Sequence, residues 1–144
     1  MAKVVELPPE VVQQALGRAA HEVNRAYCAA QGDDSQMPWE VAPEWLRVSV
    51  LKGVRGVLCG NTPEQGHESW LREKYETGWK HGLVKDVEKK EHPNMVHYSL
   101  LPPIERKKDA LFVATVLTLG AALGYVKQAQ FVESAMPLAV GLLG

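Results

Sequence analysis

The chain has 144 residues, enough for one domain with a real core. Its apolar fraction of 46% and charged fraction of 23% are ordinary for a soluble globular protein and argue against a disordered or fibrous chain. With 16 Lys and Arg against 17 Asp and Glu, it carries no overall field that would draw nucleic acid.

The start, residues 1–7, reads as an extended arm without the long apolar run of a signal peptide, so the cytoplasm is the expected location. Pro8-Pro9-Glu10 opens a first helix expected to reach about Ala30, with Val12, Leu16, Ala19, Val23 and Ala26 or Tyr27 as its apolar stripe. A loop of small and polar residues follows, turning at Gly32-Asp33-Asp34-Ser35. Pro43-Glu44-Trp45 opens a second helix expected to reach about Cys59, with Leu46, Val50, Val54 and Val57 buried. Gly53 and Gly56 weaken it as an isolated helix and predict the close approach of another backbone. Cys28 and Cys59 are too few for a disulfide framework and are expected to be buried, reduced thiols.

Thr62 is a candidate N-cap for a third helix, with Pro63 at the first helical position and Gln65 placed to close a capping box. Trp70, Lys74 and Thr77 share one face of it, and Gly78 is the expected stop. Gly78-Trp79-Lys80-His81-Gly82 then holds an aromatic ring between two glycines, which suits a pocket lip or a core plug. Residues 83–91 read as a charged loop with one short helical turn, and His92-Pro93-Asn94 as a turn. Residues 95–101 alternate loosely, which predicts a short extended piece or edge strand. Pro102-Pro103 opens the last helix, with Gly124 in its C-cap region.

Residues 110–126 carry no charge but fall short of the ~20 residues that span a bilayer. Five charged residues lead into them, so a buried core helix is expected and no membrane partner. The tail, residues 134–144, is small and apolar; it must pack on the domain or contact another copy in a homodimer. The expected fold is mainly α: one domain over residues 1–144, with four principal helices around one core and one or two short extended segments. Its lead-in helices occupy residues 8–60. His21-Glu22-x-Asn24 and His67-Glu68-x-Trp70 echo each other, as the two halves of a degenerate tandem would.

The chemistry-bearing motifs are mostly absent. The five histidines form no HExxH, and no Cys-x-x-Cys occurs, so no metal and no cofactor are expected. His21-Glu22 and His67-Glu68 read instead as braces bonded to neighbouring loops. No G-x-S-x-G elbow and no P-loop occur. The strongest combination is aromatic and cationic. Trp70 and Trp79, joined by Trp39 and Tyr27 from the lead-in, can form a stacking slot near Lys74, Lys80, Lys85, Lys89, Lys90 and Arg25. A flat base gains roughly 1–3 kcal/mol per such stack.

A longer pattern covers residues 63–125. It runs His67-Glu68-x-Trp70-x-x-x-Lys74-x-x-x-Gly78-Trp79-x-x-Gly82, then Val84-x-Asp86-x-x-Lys89-x-x-His92-Pro93, then Val96, Tyr98, Leu101-Pro102 and Glu105-Arg106. This resembles the ryanodine-receptor repeat domain, the RyR domain, found in tandem in large calcium-release channels and alone in small bacterial and phage proteins. His81 and His97 depart from residues common in that family. The resemblance implies an adenine-nucleotide pocket built on Trp70, with Lys74 and Lys90 facing phosphate. The paired tryptophan would fall at Asn24, so Trp39 or Tyr27 would supply the second face.

The expected function is therefore a non-catalytic module binding an adenine-containing nucleotide, ADP-ribose-like or cyclic. Trp70 and Trp79 stack, Lys74, Lys90 and Arg25 neutralise phosphate, and His92 or His97 donates hydrogen bonds. Two rivals are a protein-interaction or oligomerisation module using the tail, and a nucleotide hydrolase using Glu22 or Glu68.

Overall fold

The computed structural model describes residues 6–126; the expectations for the start of the arm and for the apolar tail lie outside them. Among the described residues four helices make the fold: α1 (Glu10–Ala30), α2 (Glu44–Leu58), α3 (Pro63–Glu76) and α4 (Pro103–Ala122). Short 3-10 turns at Trp39–Val41 and Tyr98–Leu100 precede α2 and α4. The mainly α architecture is as expected. Among the described residues, no helix is long and apolar enough to cross a membrane.

Local signals set the helix ends. Thr62 Oγ1 accepts from the Gln65 N–H while the Gln65 side chain accepts from the Thr62 N–H, the full capping box. Gly78 and Gly124 take φ of 88° and 82°, the left-handed geometry that ends a helix at low cost. The core joins Leu16 and Ala20 of α1, Val54, Val57 and Leu58 of α2, and Val113, Val116 and Leu117 of α4. Helix α3 gives it little: its buried residues are His67 and Lys74. This helix carries polar groups inward, and that is what makes a site.

Three expectations need correction. Residues 95–101 form no strand: the His67 ring binds the Val96 carbonyl at 2.7 Å, and His97 caps the 3-10 turn by accepting from the Ser99 N–H. The strands are instead β1 (Lys80–His81) and β2 (Glu91–His92), a parallel pair that pins the loop after α3. Gly53 and Gly56 admit side chains rather than backbone, since a Cβ on each would lie 2.9 Å from the Phe112 ring and 2.6 Å from the Asn61 amide. Cys28 is buried as expected, but Cys59 sits at the open C-terminus of α2 and is exposed.

The echo between the two histidines is structural. His21 Nε2 binds the Met37 carbonyl at 2.6 Å, as His67 binds Val96. Each carbonyl lies two residues before an aromatic that opens a 3-10 turn, Trp39 or Tyr98, and each ring packs on its own histidine at 5.8 and 6.0 Å. A new helix then begins five residues after each aromatic. Helix packing is unchanged when the halves are exchanged: α1 packs on α2 and α4, and α3 on α4 and α2. Val54, Val57 and Leu58 in the first half correspond to Val113, Val116 and Leu117 in the second, and all six are buried. Gly53 meets its own counterpart, Phe112, as a pair lying on an approximate twofold axis between the halves would.

Candidate functional site

A cavity of about 570 Å³ lies among the four helices and the loop after α3, within the usual range for small-molecule sites. It is built first from α3. The i, i+4 spacing puts Trp70 and Lys74 on its inward face, and the turn at Gly78 folds Trp79 back over them. Trp45, in the first turn of α2, closes the group from across the cavity.

The Lys74 ammonium sits among three rings: 4.4 Å from the Trp79 centroid, 4.8 Å from Trp45 and 5.8 Å from Trp70. Lys74 is only 6% exposed, and among the described residues no hydrogen bond or carboxylate pairs with it. Burial lowers its pKa from the ordinary lysine value. The ring faces compensate part of the lost hydration through cation–π attraction.

His92, brought in by β2, packs edge-on against Trp70 at 5.0 Å and lies 6.4 Å from Trp79. Its Nδ1 accepts the Asn94 N–H at 3.1 Å, which leaves the proton on Nε2 as a donor. Burial first, then the charges of Lys85, Lys74 and Lys108, pushes its pKa down to about 4, so the ring is neutral at physiological pH.

Helix α4 adds a polar wall. Glu105 accepts from the Asn94 amide at 2.7 Å and pairs with Lys108 at 2.8 Å. Burial alone would raise the Glu105 pKa, but these two donors more than offset it and hold the carboxyl low. Asp109, one turn on, also lines the cavity. Burial, and then the Glu105 charge, pushes its pKa up to about 7.

The expected site residues divide. The structure brings Trp70, Lys74, Trp79 and His92 together at this cavity. It does not bring Trp39, which is buried under the His21 ring and the Arg47 guanidinium, away from the cavity lining. Tyr27 donates its hydroxyl to the Ile104 carbonyl, and Arg25 pairs with Glu22; neither lines the cavity. Lys90 turns back on the chain and donates to the Thr77 carbonyl at 2.9 Å, a local tie that also lies outside the lining. Its φ of 54° sets that turn. Asn24 does line the cavity with Trp70, so the position paired with Trp70 faces the same space but carries no ring.

Sequence reasoning missed Trp45, Lys108, Glu105 and Asp109. Trp45 read as the opening of a helix, and nothing local shows that an open first turn will lean across onto α3. The brace reading holds for His21, His67 and Glu22. The Glu22 carboxylate accepts from Arg25 and from the Trp39 N–H, and these bonds lower its pKa. Glu64, Glu68 and His97 form an exposed group close enough to share a cation. However, His97 Nδ1 accepts the Ser99 N–H, which puts the proton on Nε2 and leaves no free lone pair for a metal.

The RyR domain family model matches residues 57–128, half of the sequence. That span begins near the end of α2 and holds α3, the strand pair and α4. It therefore supplies Trp70, Lys74, Trp79, His92, Glu105 and Asp109, while α1 and most of α2 complete the cavity from outside it. The chain belongs to the RyR domain family.

Proposed function

We propose that the cavity binds an adenine-containing nucleotide without transforming it, with phosphate at Lys74 and the base against the tryptophan rings. The observation that carries this reading is the Lys74 ammonium: buried, ringed by Trp45, Trp70 and Trp79, and unpaired with any carboxylate among the described residues. Burial makes this cation costly to keep and the nearby Glu73 charge offsets only part of that cost, so an anionic ligand would add the charge that the site lacks. Lys85 and the neutral His92 Nε2–H would add a second charge and a donor. Trp45, rather than Trp39 or Tyr27, would share the stacking with Trp70 and Trp79. A binding role is also supported by the carboxylates of the hydrolase alternative: Glu22 is occupied as a brace, and Glu68 is exposed and outside the cavity lining. The ligand classes that fit are the ADP-ribose-like and cyclic adenine nucleotides.

The test is thermal shift followed by calorimetry with ATP, ADP, cyclic AMP, NAD, ADP-ribose and cyclic ADP-ribose. A ligand at 100 times its Kd should stabilise the fold by about 2.7 kcal/mol. Trp70→Ala should weaken binding by about 1–3 kcal/mol, the worth of one stack. Lys74→Met should abolish the phosphate contribution yet leave melting unchanged or higher, because a buried cation is replaced by an apolar chain of similar length. A wild-type protein that no nucleotide stabilises would refute the reading and favour an interaction module.

A further inference from the structure

Asp109 is the carboxyl of this cavity that the slot at Lys74 does not use. Glu105, one turn earlier on α4, is satisfied by Asn94 and Lys108. Among the described residues, no hydrogen bond or ion pair reaches the oxygens of Asp109, although it lines the cavity and is partly buried. A half-buried carboxyl that faces a cavity with no protein partner keeps its hydrogen-bonding capacity for a group that enters the cavity.

Resting on the adenine-nucleotide reading, we propose that Asp109 is the base-reading group of the site. Its carboxyl pairs through two hydrogen bonds with a purine edge that offers an amine donor beside a ring-nitrogen acceptor. A 6-aminopurine has that edge. The protonated carboxyl matches it, with its O–H donating to the ring nitrogen and its carbonyl accepting from the amine. With a pKa near 7, Asp109 still carries that proton in an appreciable fraction of molecules at neutral pH. A 6-oxopurine offers a ring N–H in place of the acceptor, so it suits the ionised carboxylate instead. Selectivity between the two bases then depends on pH.

Other charges share this space. On α4, Glu105 raises the Asp109 pKa and Lys108 opposes the rise. Tyr98, beyond the start of α4, feels the Asp109 charge in turn. Across the cavity stand His21 of α1 and Lys52 of α2. Helix α3 presents His67, Arg72, Glu73, Lys74 and Glu76, and the following segment presents Lys85 and His92. A pH effect on binding could arise at a histidine, so substitution at Asp109 itself must decide.

The experiment is calorimetry of the full chain with ADP and with GDP between pH 6 and 8.5, for wild type, Asp109→Asn and Asp109→Leu. In wild type, ADP affinity should fall as pH rises above 7, approaching tenfold per unit, while the preference for ADP over GDP narrows. Asp109→Asn keeps a donor and an acceptor at every pH, so it should bind ADP with that slope abolished. Asp109→Leu should lose most of the discrimination between ADP and GDP. The inference is overturned if Asp109→Asn keeps the wild-type slope, or if Asp109→Leu keeps the wild-type ADP/GDP ratio. Either result with ADP still bound leaves the nucleotide reading intact. No binding of ADP by wild type at any pH overturns both.

Discussion

Two titrating side chains in one cavity pull stability in opposite directions. Asp109 has its pKa raised from the ordinary 3.8 to about 7, so the folded protein holds that proton more tightly than the unfolded chain. Its contribution is fully present below about pH 4 and is lost as pH rises through 7. His92 has its pKa lowered from 6.5 to about 4, so the folded protein resists that proton. Its contribution is present above pH 6.5 and is lost as pH falls through 4. Between about pH 4 and 6.5 the two slopes oppose each other. Urea midpoints for wild type should therefore change little across that window. Asp109→Asn should expose the histidine slope, losing stability on acidification by up to about 1.4 kcal/mol per pH unit. His92→Asn should expose the reverse, a loss as pH rises. Parallel pH profiles for all three proteins would show that the groups are not coupled to folding in this way. Glu22, Asp33 and Glu105, all held low, act mainly below pH 4.5 and leave the window clear.

What could be read in the sequence was what short stretches decide by themselves. The Thr62–Gln65 capping box and the stops at Gly78 and Gly124 depend on residues within one turn, and all three appear as expected. The parallel strand pair was not legible, because Lys80 donates to the Lys90 carbonyl across a loop whose charged sequence carries no strand pattern. The aromatic cluster was half legible. Trp70, Lys74 and Trp79 are close in sequence, whereas Trp45 reaches them only through the packing of α2 on α3. Gly53 shows the same limit: the glycine announces a close approach but not what approaches. A Cβ there would lie 2.9 Å from the Phe112 ring, so Gly53→Ala should cost about 1–3 kcal/mol through overpacking, despite better helix propensity. In a Phe112→Leu background the obstruction is gone, and the same change should stabilise by up to about 1 kcal/mol. A double-mutant cycle by chemical denaturation checks this reversal of sign; additive effects would place the close contact elsewhere.

At the scale of the whole molecule, two similar halves enclose one asymmetric cavity. Each half offers the residue three positions after its bracing histidine: Trp70 after His67, and Asn24 after His21. One turn further on, the second half places Lys74 and the first places Cys28, buried and near its own Asn24. The inserted loop with β1 and β2 belongs to the second half alone, and it brings Trp79 and His92. The two matching scaffolds thus carry different side chains: the second half brings Trp70, Lys74, Trp79 and His92 to the cavity, and the first adds Trp45 from α2. A single ligand per chain is the expected stoichiometry, and it should leave one face of a bound base against Asn24. Asn24→Trp would restore a ring at that face. If the base lies between the halves, the substitution should tighten nucleotide binding by about 1–3 kcal/mol, one added stack, with stoichiometry unchanged. Calorimetry of the variant beside Trp70→Ala measures both quantities. Weaker binding in a folded Asn24→Trp would mean that the base does not span the two halves and that the new ring fills space the ligand needs.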